Sequence, residues 1–335
     1  MQMAPPVPVE PRRPARVVAA DSDAVAEAAA ILRAGGLVGM PTETVYGLAG
    51  DATSERAIAS IYAAKDRPAV NPLIAHVLDL EAATNEADFD ANARVLAQAF
   101  WPGPLTLVAP ISRHSRISPM ARAGLASVAL RAPAHSIARV LIEAAQAPLV
   151  APSANRSGRV SPTTAAHVLE DLDGRIDAVL DAGPTHYGVE STIVGCLGGA
   201  PVLLRHGAIS KEAIEAVLGF ALADHGADSS DAPLAPGGLA SHYAPRTRVR
   251  LEATDVASFE AALDFGGALQ SSAGRARLDL SPTGDLAEAA ANLFAYLRIL
   301  DGAGARIIAV APIPTMGLGA AINDRLRRAA APRGD

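Results

Sequence analysis

The chain has 335 residues, half of them apolar, a net charge of −6 and a single cysteine, Cys196. That length suggests two domains or one large one, with enough apolar residue for a sizeable core. One cysteine excludes an intrachain disulfide and a cysteine-based zinc site, and the negative balance gives no global pull on nucleic acid, although local basic patches leave weak RNA binding open.

Residues 1–15 are a disordered proline-rich tail by composition, neither signal peptide nor membrane span, and no later segment has the length of an apolar membrane helix. With aromatics at 4%, the core is built from Ala, Val, Leu and Ile. Residues 22–33 form an amphipathic helix with Val25, Ala28, Ala29 and Leu32 on one side. A short buried strand follows over 35–40, and Pro41 ends it because proline cannot donate to a ladder. The hydroxyls of Thr42 and Thr44 then stand on a loop at a strand's C-terminal end, where open α/β folds bind ligands. Residues 54–64 read as a helix with Ser54 as N-cap and Ile58, Ile61 and Tyr62 on one face. Lys65 and Arg67 follow it, and Pro68 stops it. The two cations either clamp an anion or compensate the helix dipole. They belong to a basic set that is almost all arginine, Lys65 and Lys211 being the only lysines.

A strand over 73–77 contains His76. Residues 91–100 are helical, Trp101-Pro102-Gly103-Pro104 breaks the helix, and a strand starts at Leu105. The stretch 113–122, with Arg113, His114, Arg116 and Arg122, reads either as a mobile loop over a site or as solvated surface. Strands at 127–131 and 149–151 flank a helix at 136–145. Pro152-Ser153-Ala154-Asn155 turns off the second of them. Ser161-Pro162-Thr163-Thr164 opens a helix to about Leu169, with proline at a tolerated early position. Strands at 178–181, 191–194 and 202–205 complete this part, with a glycine-rich loop over 183–190. Residues 220–235 have linker composition. Beyond 247 a small α/β unit is expected, with a strand near Val249, helices at 256–263, 286–300 and 320–330, and a strand at 307–310. Gly317-Leu318-Gly319 is a poor match to a dinucleotide loop.

The recurring unit is an apolar strand followed by a loop bearing Ser, Thr, Asn or Arg, which lines a pocket along one sheet edge. Lys65, Arg67, Arg131 and Arg205 supply cations. Thr44, Asn71, Ser127, Ser153, Asn155, Ser161 and Ser191 supply donors. Neither a Ser-His-Asp arrangement nor a carboxylate pair is evident, so an enzyme so equipped works by positioning and charge stabilisation, as nucleotidyl transfer requires. Taken singly, Ser153 and Asn155 read as turn residues, Ser161 as a helix cap and Arg205 as a surface charge.

As an ordered set they read differently. Pro41-Thr42-Glu43-Thr44-Val45-Tyr46-Gly47-Leu48, Lys65-Asp66-Arg67 and Ser153-Ala154-Asn155 resemble the three motifs of the threonylcarbamoyl-AMP synthase (YrdC) family, in order and spacing. The likeness runs from about Val17 to Ser210 and on, through Pro236 to Pro245, into a C-terminal domain like that of the family's long form. It implies an α/β fold: a twisted mixed sheet with flanking helices over 16–218, a linker or lid over 219–246, and a smaller Rossmann-like domain over 247–335. It implies a cytoplasmic enzyme joining L-threonine, bicarbonate or CO2 and ATP, with Mg²⁺ accompanying ATP and no permanent metal site. The products are threonylcarbamoyl-AMP and pyrophosphate, and partner transferases carry the threonylcarbamoyl group to tRNA. Thr44, His76, Arg131, Ala151 and Ser191 match positions around threonine. Arg67, Asn71, Ser127, Ser153, Ser161, Arg205 and Tyr243 match positions around ATP. Lys65, Arg67 and Asn155 match the catalytic motifs, and His242 and Tyr243 the lid. Between Gly237 and His242 this chain carries smaller, uncharged residues than the family pattern, so a looser lid is expected. Two alternatives are a non-catalytic RNA-binding module and a carbamoyl-transfer domain of the hydrogenase-maturation kind, which is joined to cysteine-rich zinc fingers.

Overall fold

The computed structural model describes residues 14–68, 71–224, 242–270 and 274–332. The tail expected over 1–15 lies outside them except for Pro14 and Ala15, and so does the linker segment 225–241. In chain order the first unit contains β1 (Arg16–Ala19), α1 (Ser22–Arg33), β2 (Val38–Met40), β3 (Gly47–Asp51), α2 (Glu55–Lys65), β4 (Ile74–His76), α3 (Leu80–Glu86), α4 (Ala91–Phe100) and β5 (Leu105–Pro110). It continues with β6 (Ser127–Arg131), α5 (Ser136–Ala145), β7 (Leu149–Val150), α6 (Ala165–Leu172), β8 (Ala178–Asp181), β9 (Thr192–Gly195), β10 (Val202–Arg205), α7 (Lys211–Leu218) and β11 (Ala223–Asp224).

These strands join one mixed sheet in the order β1-β8-β2-β3-β7-β4-β6-β5-β9-β10-β11. Helices α1 and α5 pack on one face through Val25, Ala28, Leu32, Leu141 and Ile142. Helices α2, α4, α6 and α7 cover the other through Ile58, Ile61, Leu96, Val168 and Ile214. A side-chain oxygen caps most of these helices. Asp21 accepts from the Ala24 amide, Ser54 from Ala57 and Asp90 from Ala93, which satisfies donors the first turn leaves open.

One expectation in this unit changes. The helix expected to open at Ser161-Pro162 begins at Ala165 and is capped by Thr164, so Pro162 stands before its first turn and Ser161 is not a cap. The stretch 113–122 is irregular and half of it is surface, with Arg113, His114, Arg116, Pro119 and Met120 exposed, while Glu86 accepts from Ser115 Oγ and the Arg116 amide, and Ile117 and Ala121 are buried.

The second unit has β12 (Arg248–Arg250), β13 (Glu260–Asp264), β14 (Arg277–Asp279), α8 (Leu286–Asp301), β15 (Ile307–Val310) and α9 (Leu318–Ala330). Its four strands are parallel, in the order β12-β15-β13-β14. The helix expected over 256–263 is absent: residues 256–259 form an irregular turn and Glu260–Asp264 are strand β13, paired on both sides and buried along its length. Its apolar spacing and alanines suit a helix, but a central parallel strand also tolerates a continuous buried run. Gly319 serves packing rather than a nucleotide, since a Cβ there would lie 1.9 Å from the Pro314 carbonyl.

The two units share apolar core: Val45, Val160, Val189 and Ala208 of the first join Leu293, Phe294 and Leu326 of the second. Gly188, with φ of +67°, lets its loop approach α8 so closely that a Cβ would sit 2.4 Å from the Ala290 carbonyl. Across the same boundary Arg298 of α8 binds Glu170 at 2.7 Å and Asp171 at 2.9 Å on α6.

Candidate active site

The β2–β3 loop is held by its own hydroxyls. Thr42 Oγ1 donates to the Val45 carbonyl at 2.6 Å and lies 2.9 Å from Thr44 Oγ1. Strands β4 and β6 run parallel with His76 in register with Arg131, so both side chains stand at the sheet's C-terminal end. Arg131 donates to Thr44 Oγ1 at 2.9 Å and pairs with Glu43 Oε1 at 2.7 Å. Burial is the largest single influence on Glu43 and would raise its pKa, but the Arg131 charge, the Arg131 hydrogen bond and backbone hydrogen bonds together outweigh it and hold the carboxyl below its ordinary value. Burial and the same guanidinium push His76 down to about 3, so its imidazole is neutral. Its Nδ1 is buried without a hydrogen-bond partner among the described residues.

On the other side, Ser191 Oγ lies 2.7 Å from Thr106 Oγ1, and Arg205 at the end of β10 donates to the Ser191 carbonyl at 2.9 Å. The left-handed Asp66 ends α2 and turns the chain, so that Arg67 reaches the Pro72 carbonyl at 3.2 Å while its Nε has no partner among the described residues. His242 and Tyr243 come from the connecting segment. Tyr243 is buried, stacked on Phe294 at 5.5 Å with Arg325 5.2 Å from its ring centre. Burial holds His242 at about 3.

Thr44, Arg67, His76, Arg131, Ala151, Ser153, Ser191, Arg205, His242 and Tyr243 thus line one cavity, together with Val45, Ile74, Pro152 and Glu190. Five expected residues do not line it. Lys65 is buried behind the wall, where Nζ donates to the Ser153 and Asn155 carbonyls. Burial and the neighbouring Arg67 push its pKa well below the usual lysine value. Asn155 Nδ2 donates to the Arg156 and Arg159 carbonyls at 2.9 and 2.8 Å, while its Oδ1 is buried and has no partner among the described residues. Ser161 Oγ donates to Glu190 at 2.6 Å, one residue from the cavity. Asn71 is buried and its carbonyl accepts from the Tyr62 hydroxyl. Ser127 starts β6 while Arg131 ends it, roughly 13 Å apart at the rise of a strand.

Sequence reasoning passed over two carboxylates, Glu43 and Glu190. Glu43 was legible as an acid between two motif threonines. The partner that buries Glu190, Arg325, lies 135 residues further on, and no local signal joins them.

A cavity walled by arginines, hydroxyls and two neutral imidazoles, set at strand ends of a large mixed sheet, marks an α/β protein that binds anionic substrates. The family profile described as "Telomere recombination" matches residues 30–207, and that described as "Threonylcarbamoyl-AMP synthase, C-terminal domain" matches 209–331. The chain is 40% identical to the threonylcarbamoyl-AMP synthase of Bacillus subtilis, over 92% of this chain and 93% of that one. It is 42% identical to that of Pyrococcus abyssi, over 90% and 92%. The crystal structure of P. abyssi Sua5 complexed with L-threonine superposes with a TM-score of 0.85 at 38% identity, covering 94% of this chain and 96% of that one. The chain belongs to the threonylcarbamoyl-AMP synthase family, in its long two-domain form.

Proposed function

We infer that this chain is an L-threonylcarbamoyladenylate synthase. The threonine amine adds to CO2 and loses a proton, giving N-carboxy-threonine. A carboxylate oxygen then attacks the α-phosphorus of ATP, and the bond from that phosphorus to the bridging oxygen breaks to release pyrophosphate. The observation that carries this reading is the convergence of the five expected threonine residues, and of Arg67, Ser153, Arg205 and Tyr243 from the expected ATP set, on one cavity rich in cations.

Arg131, Thr44, His76, Ser191 and the Ala151 backbone form the threonine side. Arginine suits a carboxylate because its fork donates twice, and a neutral imidazole adds no charge. Arg67, Arg205, Ser153 and Tyr243 form the ATP side, supported by Asn71, Ser127 and Ser161. Lys65 and Asn155 brace the Ser153 loop that the phosphate approaches. Mg²⁺ enters as part of the ATP complex. Among the described residues no group of three His, Cys, Asp or Glu side chains is arranged to hold a metal. The residue ranges 16–218, 219–246 and 247–335 act as catalytic unit, linker and second unit. His242 and Tyr243 act as a lid. The cavity they close is about 50 Å³, room for one or a few waters and not for a nucleotide, so substrates enter when these residues move out. The product passes to transferases acting on tRNA, in the cytoplasm. Among the described residues no helix is long and apolar enough to cross a membrane.

The test incubates the chain with ATP, threonine and bicarbonate without RNA, and follows pyrophosphate and the adenylate by mass spectrometry. Arg67→Ala should lower turnover by roughly 10²–10³, the scale of one lost charge-stabilising donor. Wild-type pyrophosphate release by folded Arg67→Ala would sink the assignment. A wild-type chain that consumes no ATP here, yet binds RNA, would favour the RNA-binding alternative.

A further inference from the structure

Arg325 is the point where α9 meets the wall of the cavity. It has no exposed surface. Its Nε donates to Glu190 Oε2 at 2.9 Å and its NH1 pairs with Asp324 at 2.6 Å, while its guanidinium lies against Tyr243. Glu190 accepts from Ser161 through its other oxygen, and the next residue, Ser191, holds Arg205. Glu190 is the one carboxylate among the residues lining the cavity. Left uncompensated, its charge would oppose a polyanion and draw on the cations across from it. A buried ion pair is weak as a device for stability, since apolar residues of similar volume hold a fold as well. Its place between two units, at the wall of a cavity lined by arginines, therefore points to the charge itself.

We propose that Arg325 is a positioning residue for the nucleotide: it neutralises Glu190 from behind the wall, so the second α/β unit keeps the ATP side of the cavity net positive without touching substrate. This rests on the ATP reading above. The sign of the effect separates it from ordinary packing. Removing Arg325 exposes a negative charge to the phosphates, whereas removing the Glu190 charge exposes a positive one.

The experiment measures ATP binding by calorimetry, KM for ATP and threonine, and melting temperature, on the full chain and on Arg325→Gln, Glu190→Gln, the double variant and Arg325→Lys. Arg325→Gln should weaken ATP about tenfold, the scale of one like-charge contact in a low-dielectric wall. Glu190→Gln should tighten ATP. The double variant and Arg325→Lys should return to within about threefold of wild type, and threonine KM should move less than ATP KM in every variant. If both single variants weaken ATP and threonine together, in step with melting temperature, the pair is structural and the proposal is overturned. If Arg325→Gln does not fold, Glu190→Gln decides alone, tighter ATP supporting the proposal and weaker ATP overturning it. A wild-type chain that binds no ATP would remove the functional reading as well, a result distinct from variants that bind ATP like wild type.

Discussion

Acid should weaken this protein in a pH window set by two buried histidines. His76 and His242 are both neutral, each held at about 3 by burial. In the unfolded chain each returns to about 6.5. A depressed folded pKa means that the unfolded state binds more protons between the two values, so stability is full above pH 6.5 and is lost as pH falls toward 3. At pH 5.0 each ring lies 1.5 units below its unfolded pKa, which at 1.36 kcal/mol per unit costs about 2 kcal/mol. The figure does not depend on how far below 5 the folded value lies. The carboxylates held down by arginine, Glu43 and Glu190, contribute fully above their unfolded values near 4.5 and begin to fail in the lower half of this window, below pH 5.0. His135, His167 and His206 are shifted in the same direction, so the wild-type loss combines several rings and single variants are needed to apportion it. Urea unfolding at pH 7.5 and 5.0 should show His76→Gln and His242→Gln each losing about 2 kcal/mol less than wild type over that interval. A variant that loses as much as wild type would refute the claim that its ring is buried and neutral.

Arg131→Ala should destabilise the protein by about 3–5 kcal/mol, because it leaves the Glu43 charge buried without its partner. Glu43→Gln in that background should recover part of the loss, and threonine KM should rise more than ATP KM; wild-type thermal stability in Arg131→Ala would show that the pair does not form. Tyr243→Ala should cost about 3–5 kcal/mol, since it empties a fully packed aromatic site against Phe294 and Arg325, and should reduce adenylate synthesis. Unchanged melting temperature and unchanged synthesis would reduce the connecting segment to a tether.

The first unit was legible because its signals are local. Ser54 announces a helix that its side chain does cap, and Asp21 and Asp90, not read as caps from the sequence, do the same for α1 and α4. Proline and arginine mark strand ends at Pro41, Arg131 and Arg205, and those ends define the cavity. The misplaced helix at Ser161 followed proline's tolerance for a first turn, whereas Thr164, three residues on, provides the oxygen that the His167 amide needs. Helix α7 was passed over although Ser210 caps it through the Ala213 amide. A linker-like composition beginning at Phe220 drew attention away from a signal of the same kind.

The second unit shows where local signals fail. In β13, Glu260-Ala261-Ala262-Leu263-Asp264 favours a helix by propensity, and as an isolated peptide nothing would contradict that. Strands β14 and β15 contradict it, hydrogen-bonding the segment from both sides and burying it, while Arg250 on β12 and Arg277 on the adjacent β14 reach Glu260 and Asp264. Arg277 lies 13 residues beyond Asp264, and Ile307 of β15 lies 47 residues beyond Glu260, the positions they meet. The same separation hid the connection between the units. Glu190 was visible in the sequence as a lone acid before a serine, and Arg325 as one arginine among several in a basic helix. Only folding makes them a single buried pair, and only as a pair do they bear on the charge of the cavity. Charge compensation between distant residues is thus the part of this site that no motif carries, and so substitutions at Arg325 test the reading most directly.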